Sequence, residues 1–197
     1  MRLAQASWLG GLVLTLAGCH GVKAEHAGGA DRLSAERLYP LRAGSIWTYD
    51  VETGDGGPPT LAITRVTANH DGRAEVSSGG APISYQQRPD GLYRSDRDAY
   101  VLKLPLRVGA SWDAGLGATT EVVSVDKQVT SVAGSFTGCV ELRETGGETQ
   151  KVVRTVFCPD VGPVELESSV SLQVSGSAAR VLARLRGYDF SAALGAP

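Results

Sequence analysis

The stretch Val164-Glu165-Leu166-Glu167-Ser168-Ser169-Val170-Ser171-Leu172-Gln173-Val174-Ser175 decides the fold class. Successive side chains of an extended chain point to opposite faces. One face of this segment therefore carries Val164, Leu166, Ser168, Val170, Leu172 and Val174, and the other Glu165, Glu167, Ser169, Ser171, Gln173 and Ser175. That is a strand with one apolar face and one wet face. Downstream, Val181, Ala183 and Leu185 against Arg180, Leu182, Arg184 and Arg186 repeat the pattern less cleanly; upstream, Trp47, Tyr49 and Val51 do so across Thr48 and Asp50. Turn-forming residues punctuate the chain at Gly54 to Pro59, Asn69 to Gly72, Pro89-Asp90-Gly91, Ala133-Gly134 and Gly146-Gly147. Short β-branched runs between regular turns argue for antiparallel strands.

No stretch after the N-terminal leader sustains a helical apolar period for more than about two turns. The expectation is an all-β domain over residues 38–192, a single curved antiparallel sheet of roughly ten strands, either an open half-barrel or a closed barrel-like or sandwich form. Little helix is expected; residues 34–38 (SAERL) can form one turn capped by Ser34. A chain of 197 residues, 42% hydrophobic, buries one domain's core. With 19 Lys and Arg against 21 Asp and Glu, the net charge of -2 gives no electrostatic footprint for a phosphate backbone, so no nucleic-acid partner is expected.

One pattern occurs twice. Pro40-Leu41-Arg42-Ala43-Gly44-Ser45-Ile46-Trp47 and Pro105-Leu106-Arg107-Val108-Gly109-Ala110-Ser111-Trp112 share P-L-R-x-G-x-x-W. Proline fixes φ, leucine can tuck beneath the sheet, glycine permits a turn of positive φ, and tryptophan anchors the emerging strand. Pro40, Leu41, Gly44, Trp47, Pro105, Leu106, Gly109 and Trp112 are thus read as two structural sheet corners, in preference to tryptophans and arginines lining a ligand mouth.

Three cysteines are present, Cys19, Cys139 and Cys158. The last two end the arms of a hairpin, Thr137 to Glu144 and Gln150 to Phe157, and form a disulfide on the simplest reading. Two registers compete. Cysteines directly opposite place Val140 against Phe157, Leu142 against Thr155 and, unfavourably, Arg143 against Arg154. A shift of two residues pairs Glu141 with Arg154, puts the cysteines on a diagonal and invites a bulge.

The N-terminus has one cation at Arg2, an apolar run from Trp8 to Ala17, and then Leu16-Ala17-Gly18-Cys19. The run is too short and glycine-rich to span a bilayer and reads as an export signal. The tetrapeptide resembles a bacterial lipobox. This resemblance implies cleavage after residue 18, acylation of Cys19 with palmitate-type chains, and attachment to the cell envelope; His20 in place of aspartate implies the outer membrane. Residues 19–37 are then the lipidated cysteine and a flexible tether, and residues 193–197 a C-terminal tail.

A second resemblance covers most of residues 39–166. Tyr39 to Tyr49 (Y-P-L-x-x-G-x-x-W-x-Y), the second P-L-x-x-G-x-x-W, Ala133 to Val140 and Cys158 to Val164 together resemble a group of bacterial envelope lipoproteins with repeated PLxxGxxW motifs. Its members are typically curved antiparallel sheets, loosely similar to the half-barrel of periplasmic lipoprotein carriers. The resemblance implies a location and a fold, not a chemistry.

Candidates for chemistry are few. His70, in Asn69-His70-Asp71-Gly72, is read as part of a solvated turn. Asp90, Asp96 and Asp98 are interleaved with Arg88, Arg94 and Arg97 and read as surface ion pairs in preference to a calcium loop. No catalytic residues, metal or cofactor are expected. The favoured function is a non-catalytic interaction or structural module of the envelope, anchored to the membrane through its lipid. The alternative is a carrier of a lipid or other apolar ligand on the concave face, which would require an open cavity of several hundred Å³.

Overall fold

The computed structural model describes residues 33–147, 151–171 and 178–190. The leader, Cys19, most of the tether, the stretch 172–177 and the C-terminal tail lie outside the described residues. A single helical turn, α1 (Ala35–Leu38), is followed by β1 (Ile46–Thr53), β2 (Thr60–His70), β3 (Arg73–Ser77), β4 (Ile83–Arg88), β5 (Gly91–Arg94) and β6 (Ala99–Lys103). The second half comprises β7 (Ser111–Gly115), β8 (Ala118–Ser131), β9 (Gly134–Gly146), β10 (Lys151–Cys158), β11 (Gly162–Ser171) and β12 (Ala178–Asp189). The fold is thus all-β with almost no helix. There are twelve strands where about ten were expected, because strands as short as β5, with four residues, are too brief to display an alternation of their own.

The strand order is β6-β5-β4-β3-β2-β1-β12-β11-β10-β9-β8-β7, antiparallel throughout. Each strand pairs with its successor, and β12 returns to β1. The exception is β6 with β7, which face each other across the seam of a barrel-shaped sheet without a backbone ladder. There the Trp112 indole N–H donates to the Tyr100 carbonyl at 2.9 Å. A Cβ on Gly115 would collide with the Arg97 carbonyl oxygen and lie 3.3 Å from the Ala99 Cβ. The seam carries no ladder, and its two edges meet through these side-chain and close-approach contacts.

The two P-L-R-x-G-x-x-W motifs open the two six-stranded halves, and their backbone hydrogen bonds coincide. Gly44 N–H donates to Val66 O and Gly109 N–H to Val122 O, both at 2.9 Å. Ser45 and Ala110 donate back to Arg42 and Arg107, and Val66 and Val122 donate to Ser45 and Ala110. Both glycines have φ of 84°, a conformation that costs a residue with a Cβ about 1–2 kcal/mol. Trp47 then faces Thr64 and Trp112 faces Thr120 across the ladder. Leu41, Leu106, Trp47 and Trp112 are buried, whereas Arg42 and Arg107 are exposed.

Register separates the faces of the sheet. Val122, Leu142, Thr155, Leu166, Ala183 and Val51 are successive cross-strand partners on the inner face. Glu141, Val156, Glu165, Arg184 and Asp50 form the row on the outer face. Arg143 does stand opposite Arg154 and Val140 opposite Phe157, so the first of the two registers is realised. Glu121 on β8 relieves the like-charge pair by accepting from Arg143 at 2.6 Å, and Glu167 is the partner of Arg154 on its other side. Further outer-face pairs join Arg180 to Glu167, Arg184 to Glu52 and Glu165, and Arg186 to Asp50.

The alternation read from the sequence is modified in two places. Leu166, on the inner face, is 38% exposed because it lies at the open end of the lumen. Leu182 and Val156, on the outer face, are buried. The long β8–β9 hairpin changes register three times and reaches β12. Buried Val129 and Lys127, which is paired with Glu141 at 2.9 Å, belong to this arm. Part of the outer face is thereby buried, including Val156, Leu182 and the Cys139–Cys158 disulfide between β9 and β10, whose cysteines are 0% and 1% exposed.

Candidate functional site: the mouth of the barrel

The inner face leaves a cavity of about 300 Å³ at one end of the lumen. Its walls come from both halves and meet at the seam. Ala99, Tyr100 and Val101 of β6 face Ala114 of β7, and Leu142, Val153, Thr155, Phe157, Pro163 and Leu166 supply the opposite wall. Tyr39, in the chain between α1 and the first corner, closes the inner end together with Tyr85 of β4. Thr120 of β8, Arg94, Arg97, Lys151 and Glu144 complete the lining.

Tyr39 is positioned by α1. Ser34 caps this turn by accepting from the Arg37 N–H, and Ala35 and Leu38 are buried. Arg37 pairs with Asp160 in the β10–β11 turn, and the Asp160 N–H donates to Arg37 O at 2.7 Å. In the same turn Val161 O accepts from the Trp47 indole at 2.7 Å, and Pro163 O accepts from the Tyr49 hydroxyl at 2.9 Å. The Tyr39 ring packs edge-on against Trp47 and Tyr85, with centroids 5.4 and 5.8 Å away, and tilts against Phe157.

Tyr39 and Tyr85 are 6% and 9% exposed, yet neither hydroxyl has a hydrogen-bond partner among the described residues. Burial pushes the pKa of both phenols up, and mutual repulsion raises that of Tyr39 further, although Arg94 opposes both shifts. They are neutral O–H donors at any physiological pH. Arg94, the direct cross-strand partner of Tyr85, gives its Nε and Nη2 to Asp96, each at 2.7 Å. At the rim Arg97 donates to Glu144 at 2.9 Å, joining the β5–β6 turn to β9 beside the seam.

The sequence-derived candidates fall elsewhere, except for the arginines. Trp47 and Trp112 are committed to backbone carbonyls and brace the corners. His70 is exposed at the end of β2, before a turn in which Asp71 and Gly72 have φ of 51° and 76°. Asp90, Asp96 and Asp98 diverge to separate partners: the Tyr100 hydroxyl, Arg94 and the Tyr93 hydroxyl. Arg88 stacks on the Tyr93 ring, 3.4 Å from its centroid. Arg94 and Arg97 join the cavity lining, a role separate from their reading as surface pairs. Tyr39 immediately precedes the first P-L-R-x-G-x-x-W motif and Tyr85 lies in a strand that no motif marks; nothing in their local sequence joins residues 46 positions apart.

The chain matches no family model and no curated protein. Among solved structures it is similar to a protein of Bacteroides fragilis NCTC 9343 described as exported and of YmcC-like fold, at 13% identity and TM-score 0.47. It is also similar to a protein of Parabacteroides distasonis ATCC 8503 described as a lipoprotein, at 11% identity and TM-score 0.41. Each alignment covers 77% of this chain and 98% of the other.

Proposed function

We propose that this protein is a lipid-anchored, non-catalytic binding module of the bacterial envelope, tethered through Cys19 to the outer membrane, with the barrel lumen as its ligand site. The cavity of about 300 Å³ carries this reading, because a sheet that served only as an interaction scaffold would need its interior filled. Its hydrocarbon wall and polar rim suit an amphipathic small molecule. A non-catalytic role is supported by the engagement of its lining carboxylate, Glu144, with Arg97.

Two measurements test the proposal. Fractionation of cells producing the wild type and Cys19→Ser should find the first acylated and in the outer membrane and the second unacylated and released. Native mass spectrometry of the purified full chain should show a bound small molecule lost on denaturation; a bare protein that also fails to bind added amphiphiles would refute the lumen site. The interaction-module reading retains one specific support, the exposed Leu61 and Ile63 on one face of β2. Loss of in-cell crosslinks in Leu61→Lys/Ile63→Lys, with the lumen free of ligand, would favour it.

A further inference from the structure

We propose that the inner end of the lumen is a carboxylate-binding pole, formed by the Tyr39 and Tyr85 hydroxyls and the Arg94 guanidinium, and that the ligand is a carboxylic acid with a short hydrocarbon tail. The inference rests on the lumen being the binding site and specifies the class of molecule it takes.

Three observations carry it. First, two tyrosines, each more than nine-tenths buried, line one cavity without a hydrogen-bond partner for either hydroxyl among the described residues. Both hydroxyls keep access to the open cavity, where they are free to donate to a bound group, and both are donors at physiological pH. Secondly, the Arg94 side chain is only 21% exposed, and its hydrogen bonds to Asp96 engage Nε and Nη2. Nη1 is without a protein partner among the described residues. Cross-strand pairing of Arg94 with Tyr85, and ring contact of Tyr85 with Tyr39, brings the three groups together.

Thirdly, Arg94 is balanced by Asp96 and Arg97 by Glu144, which leaves Lys151 as the net charge of the lining, an excess of one cation that favours an anion. A carboxylate offers two oxygens with about four lone-pair sites, enough for both phenols and the free arginine nitrogen. Charge-assisted bonds of this kind are the stronger class. Leu142, Val153, Phe157, Pro163 and Leu166 form a hydrocarbon wall, interrupted by Thr120 and Thr155, that takes the tail. A volume of about 300 Å³ equals that of about ten waters, which sets a tail of modest length.

The test uses the full chain in lipid nanodiscs, with sodium octanoate and octan-1-ol as matched probes at a pH where the acid is ionised. Heats are measured by calorimetry, with empty nanodiscs subtracted. The expected result is octanoate binding at least about tenfold tighter than octanol, with Tyr39→Phe and Tyr85→Phe each reducing that preference by about tenfold. Arg94→Gln serves as a third variant should either phenylalanine chain fail to fold. If octanol binds as tightly as octanoate, or the variants keep the wild-type preference, the carboxylate pole is overturned while the lumen site stands. If neither probe binds, both fall.

Discussion

Reducing the Cys139–Cys158 bond tests the arrangement of the β9–β10 arm quantitatively. The bridged residues are separated by 19 positions, so the chain-entropy relation gives about 11 cal/mol/K of denatured-state entropy removed, or about 3 kcal/mol near room temperature. The bond is buried and joins β9 to the end of β10, next to the turn whose Val161 carbonyl receives the Trp47 indole. Reduction therefore acts on both states: it releases the unfolded loop and loosens the end of β10 that positions Asp160 and Val161. Urea unfolding of the full chain, followed by tryptophan fluorescence with and without reductant, should show a loss of about 3 kcal/mol. Cys139→Ala/Cys158→Ala should lose at least as much, since it also deletes two buried sulfurs. A loss below about 1 kcal/mol would refute the reasoning, because closure of that loop would then remove little entropy from the oxidised denatured chain.

Further outcomes follow from the corners, the seam and the tyrosines. Gly162 has φ of 102°, and a Cβ there would lie 3.0 Å from the Trp47 indole nitrogen. Gly162→Ala should cost about 2–4 kcal/mol from backbone strain and the disturbed indole hydrogen bond, seen as a lower urea midpoint with altered tryptophan emission. Gly115 and Gly117 have nearly equal φ, 76° and 75°, but only Gly115 abuts the opposite edge of the seam. Gly117→Ala should lose about 1–2 kcal/mol, whereas Gly115→Ala should lose about 1–3 kcal/mol more; equal losses in denaturant would mean that the seam is not closely packed there. Tyr39, Tyr49 and Tyr85 have pKa values raised chiefly by burial. Their neutral forms favour the folded state, a contribution fully present below about pH 10 and lost as pH rises beyond it. In an absorbance titration these three should ionise only with unfolding; ionisation at the ordinary phenol pKa while the fold persists would contradict their burial.

Local patterns revealed the sheet's parts and not its closure. Alternation of Trp47, Tyr49 and Val51 specified an inward face, and the five turn signals fell between successive strands. The paired P-L-R-x-G-x-x-W motifs announced two corners because proline, glycine and tryptophan impose constraints within a few residues. Leu166 and Leu182 escaped this logic. Leu166 is inward-facing at the open end, and Leu182 is outward-facing but covered; burial depends on what lies above a face as well as on which face a residue occupies. The lumen was less legible still. Tyr39 and Tyr85 acquire their shared environment only when α1 packs on the β10–β11 turn and β4 curves around to meet them.

Sequence by itself determined the antiparallel character and the two corner devices, which rest on side-chain parity and short-range backbone geometry, and the pairing of Cys139 with Cys158, which rests on their being the two cysteines left once Cys19 is set aside. Tertiary structure alone decided that the sheet curls until β6 faces β7, that the β8–β9 arm covers part of the outer face, and that two tyrosines and an arginine converge on one cavity. Curvature accumulates over twelve strands from small twists and register shifts. The site it encloses is therefore a property of the assembled sheet, encoded in no single segment.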